Sequence, residues 1–579
     1  MFRRYVGPLL IAVVAAVATL ATIAPDGNGP GVTCDELYHV HQGKQLVTAL
    51  RQQGLAFFLP VNIDRNFPWR PGGPPVQSPL GYWILGGTHY LFDPAPDDPS
   101  VLSITAARFA PAMAFALLIL IVGAWVAQRE GWLAGTVAAA AVALMPRLFG
   151  HAHLAALDML TTLFFVAAVL AVAQAARGDR IWQYALAGVV WGMAMLVRLH
   201  GLLVALPVIV WLLWRLHRRW RGGYVVTPEA TGEMSPQKWA WYVRWRFVPS
   251  LAAWLAGGGL TLLVGWPWLW LTPLARFHQY VASGSDRQML HVFYAGQIWG
   301  DRSVPWHYPW VMFAVTVPLG LLVLGLIGVW AVLRSGPLAP SHVSGFSKEW
   351  RSPLNTLWQE EGPLLFGTIF FMLFVFSCPG TPVYDGERLF LMVFPLWAIW
   401  VGIGAQWLSC RIGFRKFIPA AILTFVTLQG IGLVIYYPCH LSYYSLLVGG
   451  LTGAERLGFE VTYWGDTVRE PMLAEAARLS PDKPVLFAPN LAPFQALAVG
   501  ITSTALREAG VSLVGWDRLA PKEAKRCRYA VIYNRRADLA DGEWILRRGR
   551  VVGEYSKQGV WLARLIDLAA PPRRPSPAD

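Results

Sequence analysis

Asp35 and Glu36 are adjacent carboxylates just past the first apolar segment of the chain, where Arg3 and Arg4 precede a run long enough to span a bilayer. A carboxylate pair at a membrane boundary is costly to desolvate and is often retained for chemistry. The same pair could simply cap the helix that follows, Asp35 accepting backbone N–H bonds. Other ionisable groups stand at similar boundaries. Asp158 closes the run Gly150-His151-Ala152-His153-Leu154-Ala155-Ala156-Leu157-Asp158, Arg198 opens Arg198-Leu199-His200-Gly201, and Arg388 ends Tyr384-Asp385-Gly386-Glu387-Arg388. A carboxylate can act as a general base, and guanidiniums can hold an anion. Each also has a plainer role: Asp158 as a first-turn acid, Arg198 and Arg388 as snorkelling cations, His151 and His153 as loop residues or metal ligands. Acids and arginines from distant segments gathered on one membrane face form a candidate site.

Apolar segments must do the gathering. Of the 579 residues, 55% are hydrophobic and only 14% charged, too little charge for a water-facing surface. The 29 tryptophans suit a chain with two membrane interfaces. The net charge of +14 comes from short basic runs between apolar segments, which argues for membrane topology and against nucleic-acid binding. The first segment, about 5–24, is expected to be a retained helix rather than a cleaved signal. Further spans are expected at about 102–127, 132–148, 158–176, 181–197, 199–216, 247–271, 308–333, 363–378, 388–408 and 417–437, giving about eleven. Loops carrying Arg129, Arg177/Arg180, Arg215–Arg246, Arg334–Arg351 and Arg411–Lys416 are the basic set, so they and the N-terminus are expected on the cytoplasmic side.

That orientation puts three longer stretches outside: 25–100, the segment around 272–307, and everything from Cys439 to Asp579. The first includes short amphipathic pieces at Leu37–Gln52 and Leu80–Phe92. The last combines a helix-like run at Pro471–Leu479 with strand-like runs at Val485–Ala488, Tyr529–Tyr533 and Val560–Leu565. Residues 1–438 are therefore expected to form a membrane domain and 439–579 a small α/β domain with a Pro-rich disordered tail from Ala569. Five cysteines show neither CxxC nor metal spacing, and no internal repeat is visible.

Several of these segments resemble one family. Asp35-Glu36 after the first span, Gln77-Ser78-Pro79-Leu80-Gly81, and the acid of Ala155-Ala156-Leu157-Asp158 are similar to motifs of the dolichyl-phosphate-mannose–protein mannosyltransferase superfamily. So are Phe293-Tyr294-Ala295-Gly296, Pro305-Trp306-His307-Tyr308-Pro309, Tyr384–Phe390 leading into a Pro395-containing helix, Leu441-Ser442-Tyr443-Tyr444 and Tyr463-Trp464-Gly465. The superfamily includes bacterial aminoarabinose transferases that modify lipid A. The resemblance covers roughly 1–470; where eukaryotic members have His-Pro-Pro, this chain has Gln77-Ser78-Pro79.

The resemblance implies a C-type membrane glycosyltransferase fold in a bacterial inner membrane. It also implies a sugar donor on a polyprenyl phosphate and an acceptor hydroxyl outside the cytoplasm, on a protein, a lipid or a glycan. Asp35 is then expected to be the base, with Asp158 and Glu36 completing the catalytic set. Asp158 would orient the acceptor, an arginine or a divalent cation, and Glu36 would support Asp35. Arg388 and Arg198 would hold the donor phosphate. Tyr294, Trp306, His307, Tyr308 and Tyr384 would line an acceptor or donor entrance. No cofactor is assigned, and the metal question stays open between an arginine and a divalent cation as the partner of Asp158. A transporter or lipid flippase is the main alternative, but it would carry its acids in mid-helix and show interrupted helices in matched halves. A non-catalytic scaffold for the C-terminal domain is the third.

Overall fold

In the computed structural model, the described residues are 2–67, 77–95, 102–221, 236–284, 289–334, 354–412, 417–492, 494–516, 526–539 and 543–569. The tail from 570 onwards, and parts of the basic loops that set the expected orientation, lie outside them. The chain is a polytopic α-helical membrane protein with a small C-terminal sheet. Its first ten helices are α1 (Val6–Leu20), α2 (Cys34–Gln53), α3 (Pro60–Asn66), α4 (Leu80–Phe92), α5 (Ile104–Glu130), α6 (Trp132–Ala143), α7 (Pro146–Ala152), α8 (Leu157–Gly178), α9 (Ile181–Val197) and α10 (Ala205–Trp220). Later ones include Val248–Gly265, Pro273–Ser283, Tyr308–Thr316, Leu319–Arg334, Leu354–Val375, Val393–Arg411 and Ile418–Leu428.

Among the described residues, six helices are long and apolar enough to cross a membrane, or eight if two bent pairs each count as one span. Of the eleven expected runs, six correspond to these helices, two to the bent pairs, and two more to the shorter apolar helices α1 and α9. The run 308–333 breaks between Thr316 and Leu319 with a bend of 113°, at Pro318, which lacks the N–H a continuing helix needs. The run 132–148 bends by 66° ahead of Pro146 for the same reason. Helices α1 and α9 are apolar but shorter.

Small residues let the helices approach. At Gly43 a Cβ would lie 2.6 Å from the Tyr82 carbonyl oxygen and 2.7 Å from the Gly86 amide nitrogen, so α2 and α4 cross backbone to backbone. That crossing fixes α2, whose N-terminal turn carries Asp35. Helix α9 packs along Val248–Gly265, with the Trp191 and Trp254 rings stacked 4.4 Å apart. At the far end of the bundle, Arg129 pairs with Glu361 at 2.7 Å and Arg215 with Glu360 at 2.9 Å, so these basic residues also pin helices together.

Outside the bundle, β1 (His291–Tyr294) and β2 (Gln297–Gly300) form an antiparallel hairpin. The C-terminal sheet contains β3 (Val485–Ala488), β4 (Leu513–Gly515), β5 (Tyr529–Tyr533), β6 (Arg550–Lys557) and β7 (Val560–Asp567) in the order β4-β3-β5-β7-β6. Strands β4, β3 and β5 are parallel; β5, β7 and β6 pair antiparallel. The helix Glu470–Leu479 and strands β3, β5 and β7 match the sequence reading. Strands β4 and β6 escaped it, one being too short and the other too exposed to show a clear apolar pattern.

Candidate active site

Helix α2 begins with a capping box: the backbone N–H and hydroxyl of N-cap Thr33 both reach the Glu36 carboxylate, at 2.9 and 3.1 Å. This geometry turns Glu36 inward. Its carboxylate takes a bidentate ion pair from Arg108 of α5, at 2.7 and 2.8 Å, and the Ala155 N–H at 2.7 Å. Arg108 completes its donor set on the carbonyls of Ile23, Pro30 and Gly31. Both residues are fully buried. With both its oxygens engaged by five donors, Glu36 clasps α2, α5 and the Ala155 segment together and has no lone pair directed at a substrate. Glu36, expected as the supporting neighbour of Asp35, is placed as a clasp between these elements.

Asp35, one residue earlier, faces the other way and keeps 29% of its side chain exposed. It pairs with the Nη2 of Arg388. Burial raises the Asp35 pKa, but the charge of Arg388 outweighs it, so the carboxyl is held below its usual range and is ionised at neutral pH.

Arg388 lies on a short 3₁₀ turn, Arg388–Phe390, before the Val393–Arg411 helix. Its Nε donates to Asp158 Oδ1 at 3.1 Å and its Nη1 to Asp385 Oδ2 at 3.1 Å. The guanidinium rests 4.1 Å above the Trp464 ring. Asp158, in the first turn of α8, also takes Arg198 Nη1 at 2.6 Å. Arg198 itself sits where α9 ends and the chain turns extended. So Asp35, Asp158, Arg198 and Arg388, named from four separate stretches of sequence, form one ion-paired chain. Asp158 has two arginines as partners, and among the described residues no group of three or more His, Cys, Asp or Glu is placed to hold a metal ion. His151 lies toward Glu387 and His153 hydrogen-bonds Thr22 at 2.8 Å, so the two histidines diverge.

Beside this chain is a cavity of about 470 Å³. Arg198, His200 and Tyr384 supply polar groups at its wall, and Leu202, Leu203 and Phe376 are among its many apolar ones. Tyr384 is thus the one expected entrance residue that lines it. Tyr308 acts at one remove, its hydroxyl accepting the Gly386 N–H at 3.1 Å within the Tyr384–Arg388 loop. Tyr294 hydrogen-bonds His307 Nδ1 at 2.8 Å and packs edge-on against Tyr308, while Trp306 is largely exposed. Tyr294, Trp306, His307 and Tyr308 all lie away from the cavity wall.

Sequence reasoning missed several contributors. Arg108 carried a usable signal, since an arginine inside a long apolar helix demands a partner. His39 stands one helical turn after Asp35; burial pushes its imidazole down to about 4, and its Nδ1 has no hydrogen-bond partner among the described residues. Asp385 takes a left-handed backbone (φ 57°) and joins Arg388 to Arg535 of the C-terminal domain, at 3.1 and 2.8 Å. Nothing in the local sequence marks Arg535.

Comparison with known proteins adds the following. Residues 75–226 match the family model described as dolichyl-phosphate-mannose-protein mannosyltransferase. No curated protein matches the chain by sequence. Among solved structures, ArnT from Cupriavidus metallidurans in the apo state is similar at a TM-score of 0.51 and 15% identity, covering 97% of this chain and 98% of that one. The same ArnT bound to undecaprenyl phosphate gives 0.47 at 14% identity, with the same coverage. The archaeal oligosaccharyltransferase AglB from Archaeoglobus fulgidus gives 0.44 at 12%, covering 96% of this chain and 74% of its own. Residues 75–226 are thus similar in sequence to the dolichyl-phosphate-mannose-protein mannosyltransferase family, and the chain as a whole shares the fold of apo ArnT.

Proposed function

We propose that the protein is an inverting glycosyltransferase that moves a sugar from a polyprenyl-phosphate donor to a hydroxyl outside the cytoplasm. The observation that carries this reading is the ion-paired chain Asp35–Arg388–Asp158–Arg198 beside a mostly apolar cavity. An apolar pocket with an arginine in its wall suits a lipid phosphate, whose tail is greasy and whose head is anionic. The family model that matches the chain is itself named for such a donor.

In this reading the donor phosphate engages Arg388 and Arg198, while Asp158 keeps the two guanidiniums together. As Arg388 turns to the phosphate, its hold on Asp35 relaxes, and Asp35 becomes a better base. The acceptor hydroxyl attacks the anomeric carbon and gives its proton to Asp35. The bond from that carbon to the phosphate oxygen breaks, and the lipid phosphate leaves with the electron pair, its charge held by the arginines. A single displacement inverts the anomeric centre and needs one carboxylate base. His39 and the partly exposed face of Asp35 mark the acceptor side. Glu36 holds α2 in place.

The same reading puts the N-terminus in the cytoplasm of a bacterial cell, the C-terminal domain outside the inner membrane, and a domain boundary near residue 438. The test is transfer from a radiolabelled polyprenyl-phosphate sugar in membranes containing the protein. Wild-type transfer that Asp35→Asn abolishes is the expected result. Equal transfer by Asp35→Asn sinks the assignment of the base, and no transfer by wild type favours a transporter or a scaffold.

A further inference from the structure

The C-terminal region reaches the proposed phosphate site through two side chains, Trp464 and Arg535. Arg535 follows β5 and is almost completely buried. The Asn534 main chain and amide bond to Leu562 and Trp561 of β7, at 2.9 and 2.8 Å, so the sheet fixes the residue before it. The Arg535 guanidinium donates to Asp385 Oδ1 at 2.8 Å, to the Tyr463 carbonyl at 2.5 Å and to Asp538 at 2.5 Å. Asp385 in turn receives Arg388 Nη1 at 3.1 Å and Trp464 Nε1 at 3.2 Å on its other oxygen. Trp464 is the ring beneath Arg388.

These contacts form a continuous frame behind Arg388. Its front is occupied by Asp35 and Asp158, the groups a donor phosphate would compete with. Its back is Asp385, whose negative charge would bind Arg388 just as strongly if it had no other cation. Arg535 supplies that other cation. A left-handed backbone at a non-glycine residue is also held only when surrounding contacts over-determine it, and Arg535 and Trp464 provide those contacts for Asp385.

We propose that Arg535 is a positioning residue: by neutralising and orienting Asp385, it leaves Arg388 free to engage the donor phosphate, and so makes the C-terminal domain part of the active site. This rests on the reading of Arg388 as the phosphate-binding cation. Without Arg535, Asp385 and Arg388 close into a tighter pair, the site gains a net negative charge, and an anionic lipid is repelled.

The test uses the full-length protein in detergent, with undecaprenyl phosphate as the probe and its binding read by native mass spectrometry. Arg535→Gln is expected to raise Kd by about tenfold or more, as loss of a charge-assisted contact would. Arg535→Lys keeps the charge and is expected to recover part of the loss. Arg536→Gln alters the next residue, which pairs with Glu455 instead, and is expected to leave Kd unchanged. In an Arg388→Gln background, Arg535→Gln should add nothing, because it acts through Arg388. An unchanged Kd in Arg535→Gln, or fully additive losses in the double variant, overturns the proposal. If wild type fails to bind the probe, the donor reading itself falls. An electron cryo-microscopy structure of Arg535→Gln or Arg535→Lys then decides the positioning role alone. A shift of Arg388 toward Asp385 supports it, and Arg388 unmoved between Asp35 and Asp158 refutes it.

Discussion

Asp35 and Glu36 are neighbours of the same chemical type, and the structure predicts opposite consequences for their loss. Glu36 accepts from Arg108 twice, from Ala155 N–H, and from the Thr33 N–H and hydroxyl, all within 3.1 Å and out of contact with water. Glu36→Gln removes the charge opposite Arg108 and turns an NH₂ group into a space where only donors converge. Breaking a buried ion pair from one side costs about 3–5 kcal/mol, since the other charge stays buried. The capping box is weakened as well, at about 1 kcal/mol. Asp35→Asn leaves Arg388 with Asp158 and Asp385 and alters a partly exposed group, so its cost is about 1 kcal/mol or less. Its cost in rate is that of a lost general base, about 10²–10⁴-fold. Thermal unfolding of the purified protein in detergent, run beside the transfer assay, separates the two. Glu36→Gln should melt several degrees lower, and whatever folds should still turn over. Asp35→Asn should melt near wild type and be inactive. A stable but inactive Glu36→Gln, or an Asp35→Asn that unfolds, would refute this division of roles.

Three further outcomes are expected. The Asp35 pKa is lowered in the free protein, so its ionised form survives acidification, and the acid limb of kcat/KM should fall below the ordinary carboxylate range. Donor binding draws Arg388 away, so the acid limb of kcat should lie at higher pH; coincident limbs would exclude that exchange of partners. Burial raises Glu460 to about 8 against the pull of Arg535, so the folded state binds this proton more tightly than the unfolded one. Its contribution is full below the normal glutamate pKa and is lost as pH rises toward 8. The melting temperature should therefore decline across that window, and Glu460→Gln should flatten the decline. Leu203→Trp fills part of the cavity wall and should raise the donor KM by about tenfold, equivalent to about 1.4 kcal/mol, with little change in kcat at saturation; an unchanged KM would place the donor elsewhere.

Much of this protein was legible in its amino-acid order. The apolar runs located the helices because a bilayer leaves the backbone few alternatives, and the acids and arginines at their ends marked the candidate site because charge at a membrane boundary is costly. Asp35, Asp158, Arg198 and Arg388 could be picked out on those grounds, and the helix Glu470–Leu479 and strand β5 on periodicity. Three kinds of fact were out of reach. Bends at Pro146 and Pro318 depend on how each half-helix packs, so the number of straight spans did not follow from hydropathy. The separate fates of Asp35 and Glu36 depend on which face of α2 meets Arg108, seventy-two residues away from Glu36. The link from Arg535 to Asp385 crosses 150 residues and leaves no local trace in either segment. Charge and hydropathy are properties of a residue and its neighbours in sequence, so the chain alone determined what must be buried and what must stay at the surface. Ion pairing is a property of residues brought together by folding, so only the tertiary structure decided which carboxylate is buried against Arg108 and which pairs with Arg388 and stays partly exposed.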